Sequence, residues 1–392
     1  MARHKNSNPA LSKKRPNWKE FEKIILWSKC AGRCELCNEI LYKNLFTQDR
    51  VNLSQFAHII AHSPGGARYD GSKSQVERDS IDNIILLCHG CHTTIDAFPD
   101  KYTTEVLNEI KRKHEAKIAR QTEPTWENCR KIVIFTAPIA KSNIQILEKE
   151  AIAALYDSGQ YPVDNSIHIE VPLYLYDEKS PTFWQDATTL MDKQFLDNFS
   201  PLIRENDKIA IFAFAPQPLL VYLGWKIGDK YNYEVFQRYI NAPNAWSWPK
   251  DTKQPDNPIQ IKRPSINLKE VVKGKPFIAL SFGISFDISQ RVKSQLPLDA
   301  ILWDVYAKEP SRDFIVNPKQ LVDFRNLALK LLNEISGIAG ENPIHIYMAL
   351  PVSMAVTLGM AIMPKATSTI ILHDYIKSLG TDIPTITINQ KL

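Results

Sequence analysis

No cysteine occurs in the last 263 residues of this 392-residue chain. All six, Cys30, Cys34, Cys37, Cys88, Cys91 and Cys129, come before that point. A secreted disulfide scaffold spreads its cysteines over a short chain, so that class is excluded. Glycine is scarce too: 14 residues against 25 prolines exclude Gly-rich low-complexity and collagen-like chains. No GxGxxG fingerprint and no Walker loop occurs, so neither an ordinary dinucleotide cofactor nor ATP is indicated. The stretch MARHKNSNPALSKKRPNW has basic residues but no apolar core. It does not read as a signal peptide, which makes the cytoplasm the default location.

Charge is missing from one long segment. NPIHIYMALPVSMAVTLGMAIMP, Asn342 to Pro364, has no Asp, Glu, Lys or Arg and is long enough to span a bilayer. It also holds His345, Pro351, Ser353 and Thr357, and it has a counterpart elsewhere in the chain. We read it as a buried strand followed by a buried helix, with no membrane partner.

The length suggests two or three domains. With 44% apolar and 23% charged residues, the composition is that of an ordinary globular protein. The net charge of +5 is unevenly placed. Residues 1–122 carry 20 Lys+Arg and 14 Asp+Glu, and residues 123–392 carry 28 and 29. The positive excess therefore lies in the first third, where attraction to phosphates is expected. Arg3, Lys5, Lys13, Lys14, Arg15 and Lys19 precede any acid, and EVLNEIKRKHEAKIAR adds Lys111, Arg112, Lys113, Lys117 and Arg120. Such clusters contact backbone phosphates without reading sequence. Taken singly, each also reads as part of a solvated helix face.

Two Cys-x-x-Cys pairs, Cys34/Cys37 and Cys88/Cys91, are about 50 residues apart. Four thiolates suit a tetrahedral structural Zn²⁺, each pair gripping the ion from one turn. Such an ion would stabilise a small unit that could not otherwise bury enough surface. Between the pairs run FAHIIAHSPGGARYD and IDNIILLCHGCHTTID. One apolar run ends at His58, Gly65 and Gly66 make a turn, and Asn83 precedes a second run. His92 follows the last cysteine, and Asp96 lies four residues on, so both would share one helix face.

This order of His, Asn and His framed by zinc knuckles resembles the HNH endonucleases, a ββα-metal fold, over about residues 30–115. The resemblance implies DNA phosphodiester hydrolysis, with His58 as the general base, Asn83 orienting it, and His92 as a ligand of Mg²⁺ or a similar divalent ion. Asp96 is a second candidate ligand, and reads equally as a capping or solvated carboxylate. The sequence departs from the family at Ala57, where many members carry a metal ligand. Asp96, water, phosphate or His62 must then complete the shell. His62 and His89 read first as turn or surface residues, and Arg68 as touching phosphate or only solvent.

QTEPTWENCR, residues 121–130, reads as a linker. Beyond it strand-like and helix-like segments alternate: KIVIFTAP, a helix through Ile144, Leu147, Ala151 and Leu155, IHIEVPLYLY, DATTLMDKQFLDNF, KIAIFAFA, a helix from about Pro218, and YEVFQRY. This is the pattern of a Rossmann-like unit with a mostly parallel sheet. The unit recurs. Residues 209–227 align without gaps to 344–362 at a constant offset of 135, matching Pro216/Pro351, Val221/Val356 and Gly224/Gly359 among others. The proline-rich stretch 242–264, with Pro243, Pro249, Pro255, Pro258 and Pro264, is the expected seam.

Open α/β sheets bind ligands at the carboxyl ends of their strands. The loops there offer Thr136, Pro138, Gln217, Trp246, Trp248, Ser285, Tyr306 and Pro351 as ligand-binding candidates. Trp246, Trp248, Trp303 and Tyr306 could stack on bases or serve as core aromatics. The domain order and the duplication resemble the HNH–SAVED effectors of bacterial cyclic-oligonucleotide anti-phage (CBASS) systems, in which SAVED resembles two fused CARF-like Rossmann units. The expected fold is thus an α+β zinc-stapled HNH domain at 1–120, a linker at 121–130, and an α/β tandem Rossmann-like SAVED domain at 131–392, with halves at about 131–245 and 270–392. The resemblance implies a cyclic di- or trinucleotide activator, ligand-driven homo-oligomerisation to a dimer or tetramer, and degradation of double-stranded DNA. The alternative is a restriction-like HNH nuclease whose C-terminal half reads DNA or a modified base; the near-neutral charge of that half argues against it.

Overall fold

Between Pro124 and Thr125 the chain separates into two units, Met1–Pro124 and Thr125–Leu392. The computed structural model describes residues 18–139, 142, 145–172, 180, 182–204, 206–249, 258–264 and 276–389. Arg3, Lys5, Lys13, Lys14, Arg15, Ile144, residues 173–176 and Pro255 lie outside the described residues.

The first unit runs α1 (Glu20–Lys29), β1 (Ser54–His58), α2 (Gln75–Asp79), β2 (Ile84–Cys88), α3 (His89–Ala97) and α4 (Thr104–Thr122). β1 and β2 pair antiparallel, with His58 opposite Ile84 and Ser54 opposite Cys88. α3 follows β2 without a loop, its first turn capped by the Cys88 sulfur, which accepts from the Cys91 N–H. The result is a ββα unit around a core of few side chains, among them Leu41, Ala57, Ile85, Leu87, Ile95 and Leu107. A core this small leaves stability marginal without a staple. In α4 the buried positions are Leu107, Lys111, His114 and Ile118, a helical stripe. Lys111 belongs to that inner face and not to the phosphate-facing set: its Nζ donates to the Ile84 carbonyl and pairs with Glu115, each at 2.8 Å.

The second unit opens with β3 (Cys129–Thr136), which starts inside the expected linker, then α5 (Glu148–Asp157), β4 (Tyr161–Pro162), β5 (Ile167–Glu170), α6 (Phe183–Gln194), β6 (Lys208–Phe214), α7 (Gln217–Ile227) and β7 (Asn232–Val235). Its second half has β8 (Ile259–Lys262), β9 (Ile278–Gly283), α8 (Ser289–Gln295), β10 (Ile301–Ala307), α9 (Pro318–Ala339), β11 (Ile344–Ala349), α10 (Val352–Ala361), β12 (Ile370–Ile376) and β13 (Thr381–Ile388). The first sheet holds β5-β3-β6-β7 and the second β10-β9-β11-β12, every one of these pairs parallel. Both halves therefore share the strand order 2-1-3-4 of a doubly wound unit. Two antiparallel edge strands, β8 and β13, make the second sheet mixed; β8 falls within the proline-rich seam.

The charge-free segment 342–364 forms β11 and α10, both buried. No helix among the described residues is long and apolar enough to cross a membrane. α10 packs on α7, its counterpart from the first half, and the two cross at matched glycines. A Cβ at Gly224 would stand 2.9 Å from the Val356 carbonyl carbon and nearer still to its oxygen. A Cβ at Gly359 would stand 2.8 Å from the Val221 carbonyl carbon. Each glycine thus receives the partner of the other at the 135-residue offset, as a pseudo-two-fold axis between the helices requires.

Candidate functional site

In the first unit, two turns bring the four cysteines of the paired motifs together. Cys34 opens a tight turn in which its N–H donates to the Glu39 carbonyl and its carbonyl accepts from Asn38 N–H, each at 2.8 Å. Cys88 and Cys91 sit where β2 passes into α3. The four sulfurs all lie within 4.8 Å of one another, and those of Cys37 and Cys88 are 3.8 Å apart. Tetrahedral metal–sulfur bonds of about 2.3 Å put neighbouring sulfurs about 3.8 Å apart, so the donor set fits a zinc ion. Cys30 stays outside the cluster: it is wholly buried, and burial pushes its thiol up to about 11.

His58 ends β1, and alternation along the strand turns Ala57 into the core instead. Ala57 therefore faces packed side chains. Asn83 pins the chain leaving His58. Its Nδ2 donates to the Ile60 and Arg78 carbonyls at 2.8 Å, and its Oδ1 accepts from Ile60 N–H at 2.9 Å.

His92 and Asp96 do share one face of α3, with Nε2 and Oδ2 3.4 Å apart. Asp96 Oδ2 faces that ring, and its other oxygen is held by Arg68. The Arg68 side chain is 4% exposed, and its guanidinium donates to Asp96 Oδ1 at 2.9 Å, to the Ile59 carbonyl at 2.8 Å and to the Ile95 carbonyl at 2.7 Å. Arg68 thus ties loop, strand and helix together. His89 lies on the surface.

His62 is not a surface residue. Its Nδ1 lies 2.6 Å from Asp79 Oδ1, and Gln75 donates to Asp79 Oδ2 at 2.8 Å. Burial raises the Asp79 carboxyl, but the hydrogen bonds from Gln75 and His62 outweigh it and hold the group below the ordinary carboxylate range. The sequence reading missed Gln75 and Asp79. Their i,i+4 spacing on α2 was visible, but not their meeting with His62.

In the second unit, the loops at the carboxyl ends of the strands bring the two halves together. Gln217 bridges them, donating to the Leu350 carbonyl at 3.2 Å and accepting from its N–H at 3.0 Å. Ser285 is buried and donates its N–H to the Ala349 carbonyl at 2.7 Å. The buried Thr136 accepts from Val171 N–H on its carbonyl, while Pro138 is buried and Pro351 caps α10. Tyr306 is half-buried on β10.

The tryptophan expectation needs correcting. Trp246 is 1% exposed and meets Phe212 edge-on at 5.5 Å, and Trp303 is 0% exposed. Trp248 is half-buried, packed near Phe236 and Tyr239, and donates its indole N–H to Glu234 at 3.1 Å. Trp246 and Trp303 are therefore packing groups and not platforms for bases.

What does face outward at these loops was missed by the sequence reading. Buried Gln237 donates to the Arg238 carbonyl at 2.9 Å and the Arg312 carbonyl at 3.4 Å, and accepts from Ser353 Oγ at 2.6 Å. It joins the loops after β7 and β10 to the first turn of α10. The guanidinium of Arg238 lies 4.5 Å over the Phe214 ring, and that of Arg312 4.9 Å over Phe286. Among the described residues neither arginine forms an ion pair, so both retain charge for an anion.

No curated protein matches the chain. It is similar to the solved structure of the Acinetobacter baumannii Cap4 SAVED/CARF-domain containing receptor with the cyclic trinucleotide 2'3'3'-cAAA. The identity is 12%, the TM-score 0.43, and the match covers 81% of this chain and 65% of that one. The Moraxella osloensis Cap4 SAVED/CARF-domain containing receptor is also similar, at 12% identity and TM-score 0.38, over 76% of this chain and 60% of that one. The chain spans less than two thirds of the length of each. A family model described as the SMODS-associated and fused to various effectors sensor domain, SAVED, matches residues 191–388, from α6 through β13. With half of its length matching that model, this chain belongs to the SAVED family of sensor domains.

Proposed function

We propose that this protein is a cytoplasmic anti-phage effector: a cyclic di- or trinucleotide binds the second unit and switches on a DNA endonuclease in the first. The observation that carries the reading is the joining of a SAVED sensor domain to a ββα unit bearing four clustered cysteines and the His58/Asn83 pair. A sensor needs an output, and a small basic unit suits a polyanionic target. For the ligand, two aromatic-backed arginines at the carboxyl-end loops suit the phosphates of a small cyclic anion. The Acinetobacter baumannii Cap4 receptor has been solved with two cyclic trinucleotides, the ligand class proposed for this chain.

In the nuclease unit, Cys34, Cys37, Cys88 and Cys91 hold a structural zinc ion that staples the small core. His58 is the imidazole of the reacting centre, Asn83 fixes the chain beside it, and double-stranded DNA is the substrate. Phosphodiester hydrolysis also calls for a divalent ion to neutralise developing charge. His92 and Asp96 Oδ2, 3.4 Å apart on one face of α3, are the candidates to hold that ion, with Arg68 fixing the other carboxylate oxygen. Activation takes the form of ligand-driven assembly into a dimer or tetramer, and the ligand shifts that equilibrium only by its differential affinity for the active state.

The test is plasmid cleavage by the purified chain with divalent ion and a panel of cyclic oligonucleotides. Cleavage that needs one of them, accompanied by a change in assembly state, is the expected result. Equal cleavage with and without every ligand refutes the regulation. Undiminished cleavage by His58→Ala refutes the placement of the reacting centre.

A further inference from the structure

The second unit holds a cavity of about 320 Å³ between its two halves. β7 forms one wall, and the first turns of α9 with Thr357 of α10 form the other. Neither Arg238 nor Arg312 lines it.

Topology explains the cavity. In the second half, β13 pairs with the edge of β12 and packs against α6 and α7 of the first half. The matching place in the first half is the outer edge of β7, facing α9 and α10. No strand pairs there among the described residues. The position that β13 fills on one side of the pseudo-two-fold axis is therefore open on the other.

The lining says what suits it. Arg325, half-buried on α9, reaches the cavity. Its Nε is buried with no hydrogen-bond partner among the described residues, and no acid among them pairs with its guanidinium. A buried donor without an acceptor is costly to the fold, and more so on a cation. Burial raises the Tyr233 hydroxyl above its ordinary range, and the charge of Arg325 beside it works in the opposite direction. Tyr231, Tyr233, Leu321 and Val322 supply apolar walls. Two acids also line the cavity. Asp229 is exposed, and Glu234 already accepts from Gln160 at 2.6 Å and Trp248 at 3.1 Å. They disfavour a multiply charged anion but leave room for a single charge held by a guanidinium fork. The volume is at the low end for small-molecule sites, about 300–1,000 Å³, which suits one ring system and not a cyclic trinucleotide.

We propose that this cavity binds a small organic monocarboxylate, its carboxylate on Arg325 and its apolar body against Tyr231 and Tyr233. The site is separate from that of the cyclic oligonucleotide. It touches both halves, so its ligand favours whichever arrangement of the halves it binds more tightly.

The full chain is titrated against 4-fluorobenzoate, with neutral 4-fluorobenzamide as control, by ligand-observed ¹⁹F NMR. The carboxylate is expected to broaden and the amide to stay sharp. Arg325→Gln weakens carboxylate binding about tenfold or more, and Arg325→Lys weakens it too, because an ammonium lacks the planar fork. A second measurement does not depend on the probe. A guanidinium kept for a ligand burdens the ligand-free fold, so Arg325→Leu should raise the urea midpoint of the second unit. The proposal is overturned if 4-fluorobenzoate does not bind, if the amide binds equally, if Arg325→Gln binds as tightly as the unaltered chain, or if Arg325→Leu lowers the midpoint. Cyclic oligonucleotide binding is followed in parallel. Its loss in Arg325→Gln would merge the cavity with that site and overturn the separation. Failure of every cyclic oligonucleotide to bind, with 4-fluorobenzoate still bound, refutes the sensor reading and leaves the carboxylate site.

Discussion

The crossing of α7 and α10 yields a prediction whose sign separates two physical effects. Gly224→Ala places a better helix former in the middle of α7, and on propensity alone it should stabilise the helix by about 1 kcal/mol. Packing says the opposite. The new Cβ would stand 2.9 Å from the Val356 carbonyl carbon and 3.0 Å from Met360 N, both backbone atoms of α10. No side chain can swing aside, so the helices must separate and loosen the buried contacts around Val221, Val356 and Leu358. Overpacking of this kind costs about 1–3 kcal/mol. The net expectation is a loss of about 1–2 kcal/mol. Gly359→Ala should behave alike, because it meets the Val221 carbonyl in the same way. Once one alanine has parted the helices, the second finds part of the gap already open. The double variant should therefore lose less than the sum of the singles, with a coupling of about 1 kcal/mol. The assay is urea unfolding of the full chain followed by tryptophan fluorescence, with the transition of the first unit identified by its response to chelator. Because α7 and α10 begin at Pro216/Gln217 and Pro351/Val352, separation also displaces the ligand loops and weakens cyclic oligonucleotide binding. A stabilised Gly224→Ala, or strictly additive singles, would refute the reciprocal crossing.

Three further outcomes are expected. Serine at any of Cys34, Cys37, Cys88 or Cys91 should remove one equivalent of zinc from the purified chain and unfold the first unit, because binding such an ion supplies folding free energy; elemental analysis and circular dichroism check this, and full zinc content in Cys88→Ser would refute it. Arg238→Ala and Arg312→Ala should each weaken cyclic oligonucleotide binding about tenfold or more, since charge-assisted contacts are worth about 1.5–3 kcal/mol, with the urea midpoint unmoved; unchanged titration isotherms would remove them from the site. In the second sheet, burial and the neighbouring His345 hold His373 down at about 4. Its folded value lies below that of the unfolded chain, so the unfolded state binds more protons between about pH 6.5 and pH 4. The stability tied to this group is therefore present above about pH 6.5 and lost as pH falls to about 4. His373→Gln should flatten that part of the stability–pH curve, and an unchanged slope would show that other groups cause it.

Local chemistry was legible in the sequence because short spacings constrain it. Two Cys-x-x-Cys turns can each offer two sulfurs to one point, and the fold closes them to 3.8 Å between Cys37 and Cys88. The 135-residue offset was legible for a related reason. A gapless match through Val221/Val356 and Gly224/Gly359 is what a shared helix crossing demands, and those residues are the ones in contact. Spacing says which residues can share a face, but not what arrives from elsewhere. His92 and Asp96 do share a face of α3, yet Arg68 comes from 28 residues upstream and takes one oxygen of the carboxylate. Asp79 reaches His62 across 17 residues, and Ser353 reaches Gln237 across 116. Composition misled at the indoles, since the polar, proline-rich look of NAWSWP hides the depth of Trp246.

The charge count sharpens in the same way. A net excess predicts attraction to phosphate only for side chains whose cations remain in water. Lys111 donates inward to Ile84, Arg68 is consumed by backbone carbonyls and Asp96, and Arg112 and Lys113 both pair with Glu109 at 2.7 and 3.3 Å. The near-neutral second unit, by contrast, holds Arg238 and Arg312 stacked on rings without an acidic partner among the described residues. Recognition of a small anion depends on such placed charges and not on the sum. A unit with a formal net charge near zero can therefore bind a cyclic phosphodiester tightly while giving a DNA duplex little reason to stay.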